Sequence, residues 1–148
     1  MYKRILVAID GSDTSNRALQ EAISLAGNQQ ATLLIVNVME GYSINSDAEF
    51  PTPEEVENAQ ETYLLGMLER ARKSALDKGV AVESQLLKIE SLGLRIADAI
   101  MQEAAKWSAD LIVAGTHGRS GLSHLLVGSV AEGILRVSPV PILLIRSK

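Results

Sequence analysis

Two segments of this sequence carry residue types suited to holding an anion. One is Gly115-Thr116-His117-Gly118-Arg119-Ser120-Gly121, with Gly128-Ser129 close behind it; the other is Asp10-Gly11-Ser12. Gly115, Gly118 and Gly121 free the backbone for turns that side chains block, and successive N–H groups in such a loop form an anion-binding concavity. Gly128-Ser129 opens a helical stretch, whose first-turn amides and dipole also favour a phosphate. The Ser129 hydroxyl adds a donor. The combination reads as a polyphosphate cradle, with a loop at one end and a helix N-terminus at the other. An ordinary strand-to-helix loop is the competing reading of the same glycines. Asp10 has the chemistry to accept from a ribose hydroxyl or to hold a magnesium ion through water. Capping the first helix is its competing role, one it shares with Ser12 and Asp13.

The spacing excludes better-known arrangements. A Walker A loop needs a Lys before its hydroxyl residue, and no Lys precedes Ser129. A dinucleotide fingerprint reads G-x-G-x-x-G after the first strand, whereas this loop reads G-x-x-G-x-x-G after the fourth. Gly118-Arg119-Ser120-Gly121 has the wrong spacing for a nucleophile elbow. His117 and His124 stand seven residues apart with no acid near them in sequence and no HExxH pattern, and both read as non-catalytic. Arg119 reaches either a phosphate or a backbone carbonyl, or is simply solvated. No nucleophile–base–acid set is present, so no catalytic residue and no side-chain metal site are assigned. Glu54-Glu55 suit the positive end of a helix dipole rather than acid–base chemistry.

The elements that must position these groups follow from the pattern of apolar residues. Ile5 to Ile9, Leu33 to Val38 and Asp110 to Ala114 read as apolar strands, Pro139 to Ile145 as a last apolar strand, and the more polar Val80 to Lys88 as a strand at a sheet edge. Between them lie helical stretches. One carries Ala18, Ala22 and Ala26 and ends at Gly27-Asn28. A second starts at Thr52-Pro53, presents Val56, Tyr63, Met67, Ala71 and Ala75, and stops at Gly79. A third starts near Ser91, carries Ile96, Ile100 and Ala104, and closes with Trp107. The last runs from Ser129 to about Val137. Glu40 to Pro53 is a polar loop. This β-α-β-α-β-α-β-α-β order predicts an α/β fold, a single-domain, doubly wound, five-stranded parallel sheet with helices on both faces. Ligands in such sheets sit beyond the C-terminal strand ends, where strand order reverses.

The composition agrees. The 148 residues are 47% hydrophobic and 22% charged, with a net charge of −4, two His and no Cys. Disulfides, Cys zinc sites and thiol nucleophiles are excluded, and a generic nucleic-acid binder with a basic excess is disfavoured. No run approaches the ~20 apolar residues of a membrane span, and the N-terminal apolar run is too short for a signal segment, so a cytoplasmic location is expected. The apolar last strand, placed at an edge, invites pairing with a second copy; coverage by the chain's own helices is the alternative.

The chain resembles the universal stress protein family over essentially all 148 residues, as one nucleotide-binding domain. Ile5-Leu6-Val7-Ala8-Ile9-Asp10-Gly11-Ser12 is similar to the family's first strand and turn. Gly115-Thr116-His117-Gly118, nine residues and then Gly128-Ser129 match its G-x-x-G…G-[ST] signature, and Val130-Ala131-Glu132 and Pro139 to Leu144 are similar too. The resemblance implies a Rossmann-like sheet in order 3-2-1-4-5, a homodimer through antiparallel pairing of Val140 to Ile145, and the ATP-binding branch of the family. It implies that Asp10 contacts the ribose, Ala8 lines the adenine pocket and the Val38 backbone reads the adenine edge. Gly115, Gly118, Gly128, Ser129 and Val130 would hold ribose and phosphates, with Arg119 beside them and a magnesium or manganese ion bridging the phosphates. Gly133 departs from the family pattern, where a larger or charged residue is usual. The function expected is an ATP-binding stress-response regulator with little turnover. A weak ATPase or an ATP-pyrophosphatase-like enzyme is the alternative, since Asp10 to Ser15 is faintly similar to a Ser-Gly-Gly-x-Asp-Ser loop. A nucleotide-free dimeric adaptor is the third reading.

Overall fold

The computed structural model describes residues 1–41, 52–89, 94–117 and 127–147. Along them strands and helices alternate: β1 (Arg4–Ala8), α1 (Asp13–Gln29), β2 (Thr32–Glu40), α2 (Pro53–Asp77), β3 (Ala81–Ile89), α3 (Ile96–Trp107), β4 (Leu111–Gly115), α4 (Ser129–Val137) and β5 (Ile142–Ile145). The five strands form one parallel sheet in the order β3-β2-β1-β4-β5. Both the doubly wound architecture and the strand order expected from the sequence are therefore present.

The continuous apolar strands follow from burial on both sides. Ile5 and Val7 point into a core shared with α1 and α2, while Leu6 between them joins a second core with α3 and α4. All three are fully buried, and so are Leu33, Ile35 and Val36 of the neighbouring β2. A strand with helices on both faces has no position for a polar residue to reach water. β3, at the edge, alternates instead between exposed and half-buried positions until Leu87. Below the sheet, the Asp110 carboxylate accepts the backbone N–H groups of Lys3 and Arg4 at 2.8 and 3.1 Å, fixing the start of β1 beside β4. The Arg4 guanidinium lies 3.9 Å over the Trp107 ring and donates to the Trp107 carbonyl. No described helix is long and apolar enough to cross a membrane.

The helix termini are where sequence and structure part. α2 starts as expected: the Thr52 hydroxyl accepts the Glu55 N–H, the Glu55 carboxylate accepts the Thr52 N–H, and Pro53 follows. Gly79 ends it at φ 75°. Its buried stripe, however, is Leu64, Leu68, Ala71 and Ala75; Val56 and Tyr63 are exposed. α1 does not end at Gly27 but continues to Gln29, and Gln30 takes the left-handed conformation with its N–H turned back to the carbonyls of Ala26 and Gly27. α3 starts at Ile96, with the Asp98 carboxylate accepting the Arg95 N–H. The expected start at Ser91, with Gly93, lies outside the described residues, as does most of the Glu40–Pro53 loop. β5 is shorter than expected, because Pro139 and Pro141 have no N–H for a ladder.

Gly133 has a packing reason. A Cβ there would sit 2.6 Å from the Ala97 Cβ, so the missing side chain is what lets α4 lie this close to α3. Alanine at this position gains about 1 kcal/mol of helix propensity but forces two helices apart. Gly133→Ala is expected to lower stability by a net ~1 kcal/mol in urea unfolding, and Ala97→Gly in the same chain to recover most of it.

Candidate functional site

β1 stops at Ala8, while its neighbour β2 runs on to Glu40. The last rung between them is the Ile9 N–H donating to the Val36 carbonyl at 2.9 Å. Alternate residues of a parallel strand turn their N–H and C=O to alternate neighbours, so Val38, two beyond Val36, turns its own toward the space where β1 has ended. On the other side of β1, β4 ends at Gly115. The sheet is wound outward from this point in both directions, and a cleft of about 370 Å³ opens there. That is within the range of sites for small ligands and cofactors.

The cleft brings together Ala8, Asp10, Val38, Gly115, Gly128, Ser129 and Val130, seven of the nine candidate residues. Gly118 and Arg119 lie outside the described residues. Asp10 stands where β1 turns into α1, and its Oδ1 accepts the Ser12 N–H at 2.9 Å. The Ser12 hydroxyl accepts the Ser15 N–H, making Ser12 rather than Asp10 the cap of α1. The Ser15 hydroxyl accepts the Asp10 N–H at 2.9 Å. Each polar group of this turn thereby holds another, and the Asp10 carboxyl is placed at the cleft wall by Ser12.

The far side of the cleft is the N-terminus of α4. Gly128 is its cap, with φ −64° and ψ 160°, and its N–H donates to the Thr116 carbonyl at 2.7 Å. Gly128 is thus tied to the end of β4, and the donors at this helix end are the first-turn amides of Ser129, Val130 and Ala131, which have no partner inside the helix. Thr116 is buried, and its hydroxyl lies 3.0 Å from Nδ1 of His117, which also lines the cleft. The described walls include two acids, Asp10 and Glu40, and no Lys or Arg. Among the described residues, an anion here meets amides and a helix dipole rather than fixed cations.

Sequence reasoning missed Asn37, Thr116 and the apolar walls from Ile96 and Ile100. Thr116 was legible only as the residue after a glycine; Ile96 and Ile100 read as core. Asn37 was legible as a polar residue inside an apolar strand. Gly115 also has a second meaning. A Cβ there would stand 2.8 Å from Cγ2 of Thr14, so the glycine lets the first turn of α1 approach the end of β4.

A family model described as the universal stress protein family matches residues 1–146. A universal stress protein of Bacillus subtilis, YxiE, is 35% identical over 99% of this chain and all of its own length. Among solved structures, a universal stress protein family member from Burkholderia pseudomallei superposes with a TM-score of 0.79 at 32% identity, covering 99% of this chain and 97% of that one. The universal stress protein from Archaeoglobus fulgidus, solved in complex with dAMP, has a TM-score of 0.67 at 27% identity, covering 97% of this chain and 98% of that one.

The approach of α1 to β4 is testable without a ligand. Gly115→Ala is expected to lower stability by about 1–3 kcal/mol in urea unfolding. Thr14→Ser removes the methyl that the new Cβ would meet, and the double variant should recover at least half of the loss.

Proposed function

We propose, for a chain that belongs to the universal stress protein family, that this cleft holds ATP and that the protein is a homodimeric regulatory module with little or no turnover. One observation carries the reading: a strand edge left open by the early end of β1 faces a helix N-terminus across the same cleft. A purine needs the first, a donor and acceptor side by side in one plane, and Val38 turns both toward the gap. A polyphosphate needs the second. In this reading Ala8 lies against the base, Asp10 accepts from the ribose, and Ser129 and Val130 donate to phosphates beside Gly115 and Gly128. Gly118 and Arg119 complete the loop. The dAMP complex of the Archaeoglobus relative supports an adenine nucleotide as the ligand class.

The charge of the lining bears on the metal. Among the described residues no three His, Cys, Asp or Glu side chains converge, and no Lys or Arg lines the cleft. A magnesium or manganese ion would accompany the triphosphate, and Asp10 or the Ser129 hydroxyl would supply it a protein oxygen. When bound, the ion supplies charge neutralisation. The residues that orient the nucleotide are the backbone donors, and a cytoplasmic site of action matches an ATP-dependent role.

The outer edge of β5 is the proposed dimer contact. Leu143 is 37% exposed on that strand, and Leu135 and Val137 of α4 are 49% and 54% exposed. Antiparallel pairing of β5 with its copy across a two-fold closes the edge.

Denaturing the protein, purified without added nucleotide, and weighing what is released should yield ATP at near one per chain. Protein that is empty and also ignores Mg-ATP overturns the reading in favour of an adaptor. Ser129→Pro is the sharper variant. Gly128 already has the extended backbone that precedes proline, and the first helical position accepts it, so the fold should hold while an amide and a hydroxyl vanish. ATP affinity measured by calorimetry should fall at least about tenfold, or ~1.4 kcal/mol. For the edge, Leu143→Glu should weaken dimerisation by about tenfold or more in sedimentation equilibrium, and a variant as dimeric as the parent at low micromolar concentration refutes the contact.

A further inference from the structure

We propose that Asn37 is a placeholder for the base: its carboxamide holds the Val38 N–H, and a base must displace it to bind. The inference rests on the nucleotide reading above and adds to it a residue that tunes the affinity for the base. Asn37 is the one strongly polar side chain in the middle of β2, only 5% exposed, with Leu34, Ile35, Val36 and Met39 buried around it. A buried carboxamide requires partners. Its Oδ1 accepts the N–H of the next residue, Val38, at 2.8 Å, and its Nδ2 donates to the Met67 sulfur at 3.3 Å. Thioether sulfur is a weak acceptor, so the carboxamide is anchored firmly at one end only. That end is the N–H which β1 leaves without a strand partner by stopping at Ala8.

Without Asn37, a backbone N–H at the rim of a half-apolar cleft would depend on water. With it, that N–H has an internal partner, and binding becomes an exchange of one hydrogen bond for another. The Val38 N–H selects the partner of that exchange. Adenine presents a ring-nitrogen acceptor next to an exocyclic amine, and so replaces the Asn37 oxygen on the Val38 N–H. Guanine presents an N–H at the corresponding ring position and would set donor against donor, leaving Val38 with its internal partner. The choice of base lies with the Val38 N–H, and Asn37 sets how much a matching base gains on binding without touching the phosphates.

Asn37→Leu keeps the branched shape beside Met67 and removes the acceptor. ATP affinity is expected to rise about threefold to tenfold, the release of one competing internal hydrogen bond. Tripolyphosphate, which has no base, should bind the variant and the parent alike. Hydrogen exchange at the Val38 amide should be faster in the ligand-free variant than in the parent. Asn37→Asp, a stronger acceptor on the same N–H, should weaken ATP binding, which keeps the inference testable if the leucine variant fails to fold. ATP affinity that is unchanged or lower in Asn37→Leu, or unchanged or higher in Asn37→Asp, overturns the placeholder and leaves the nucleotide reading standing. Parent protein that binds no ATP overturns both.

Discussion

The structure depends on the unequal lengths of three parallel strands. β1 is the central strand and the shortest in reach, ending at Ala8, while β2 continues to Glu40. A parallel ladder satisfies a strand on both sides only where both neighbours are present, so an early stop in the middle of a sheet uncovers the inner edge of the longer neighbour. The chain at Asp10 turns away into α1 through the mutual hydrogen bonds of Asp10, Ser12 and Ser15, and does not return to cover Val38. The cleft therefore follows from topology. Strand order reverses between β1 and β4, the connections after these two strands lead to opposite sides of the sheet, and nothing in the sheet remains to fill the place beyond the end of β1.

The close approaches that narrow this place rely on absent side chains. Gly115 admits Thr14 of α1 to the end of β4, and Gly133 admits Ala97 of α3 to α4. Gly11, at φ 86°, lies under the terminal methyl of Met67, which would sit 2.9 Å from any Cβ there. These three contacts draw α1, α2 and α4 in around the open strand ends. The glycines of the phosphate signature and those of the framework are thus overlapping sets. Gly115 serves helix packing and the cleft wall at once, so its presence alone does not distinguish a binding motif from a packing motif.

What was legible in the sequence was whatever a single element decides for itself. Ile5-Leu6-Val7 is apolar at every position because both faces are covered, and that requirement is printed on the strand alone. Thr52-Pro53-Glu54-Glu55 carries every group of its own cap. The departures needed a partner to be understood. Gly27 looks like a helix stop, yet α1 runs past it and the left-handed turn falls on Gln30, because Ala31 must return its N–H to Ala26 before β2 begins. Val56 and Tyr63 share helical spacing with Ala71 and Ala75 but are exposed, since the buried stripe of α2 begins only at Leu64. The resemblance named seven residues that the fold brings to one cleft, whereas Asn37 escaped notice: its partner is its own neighbour, and the need for that bond arises only from where another strand stops.

The cleft and the outer sheet edge are joined through Thr116. Its N–H donates to the Ile145 carbonyl at the end of β5, and its carbonyl accepts the N–H of Gly128 at the cap of α4. The Arg17 guanidinium of α1 also donates to the Arg146 carbonyl just beyond β5. A shift of the α4 N-terminus, where an anion would sit, therefore acts on the residue that also holds the last rung of β5. The two bonds lie on either side of one buried residue, separated only by its φ and ψ. The last rung of β5 and the cap of α4 at the cleft wall are in this way parts of one short hydrogen-bonded chain.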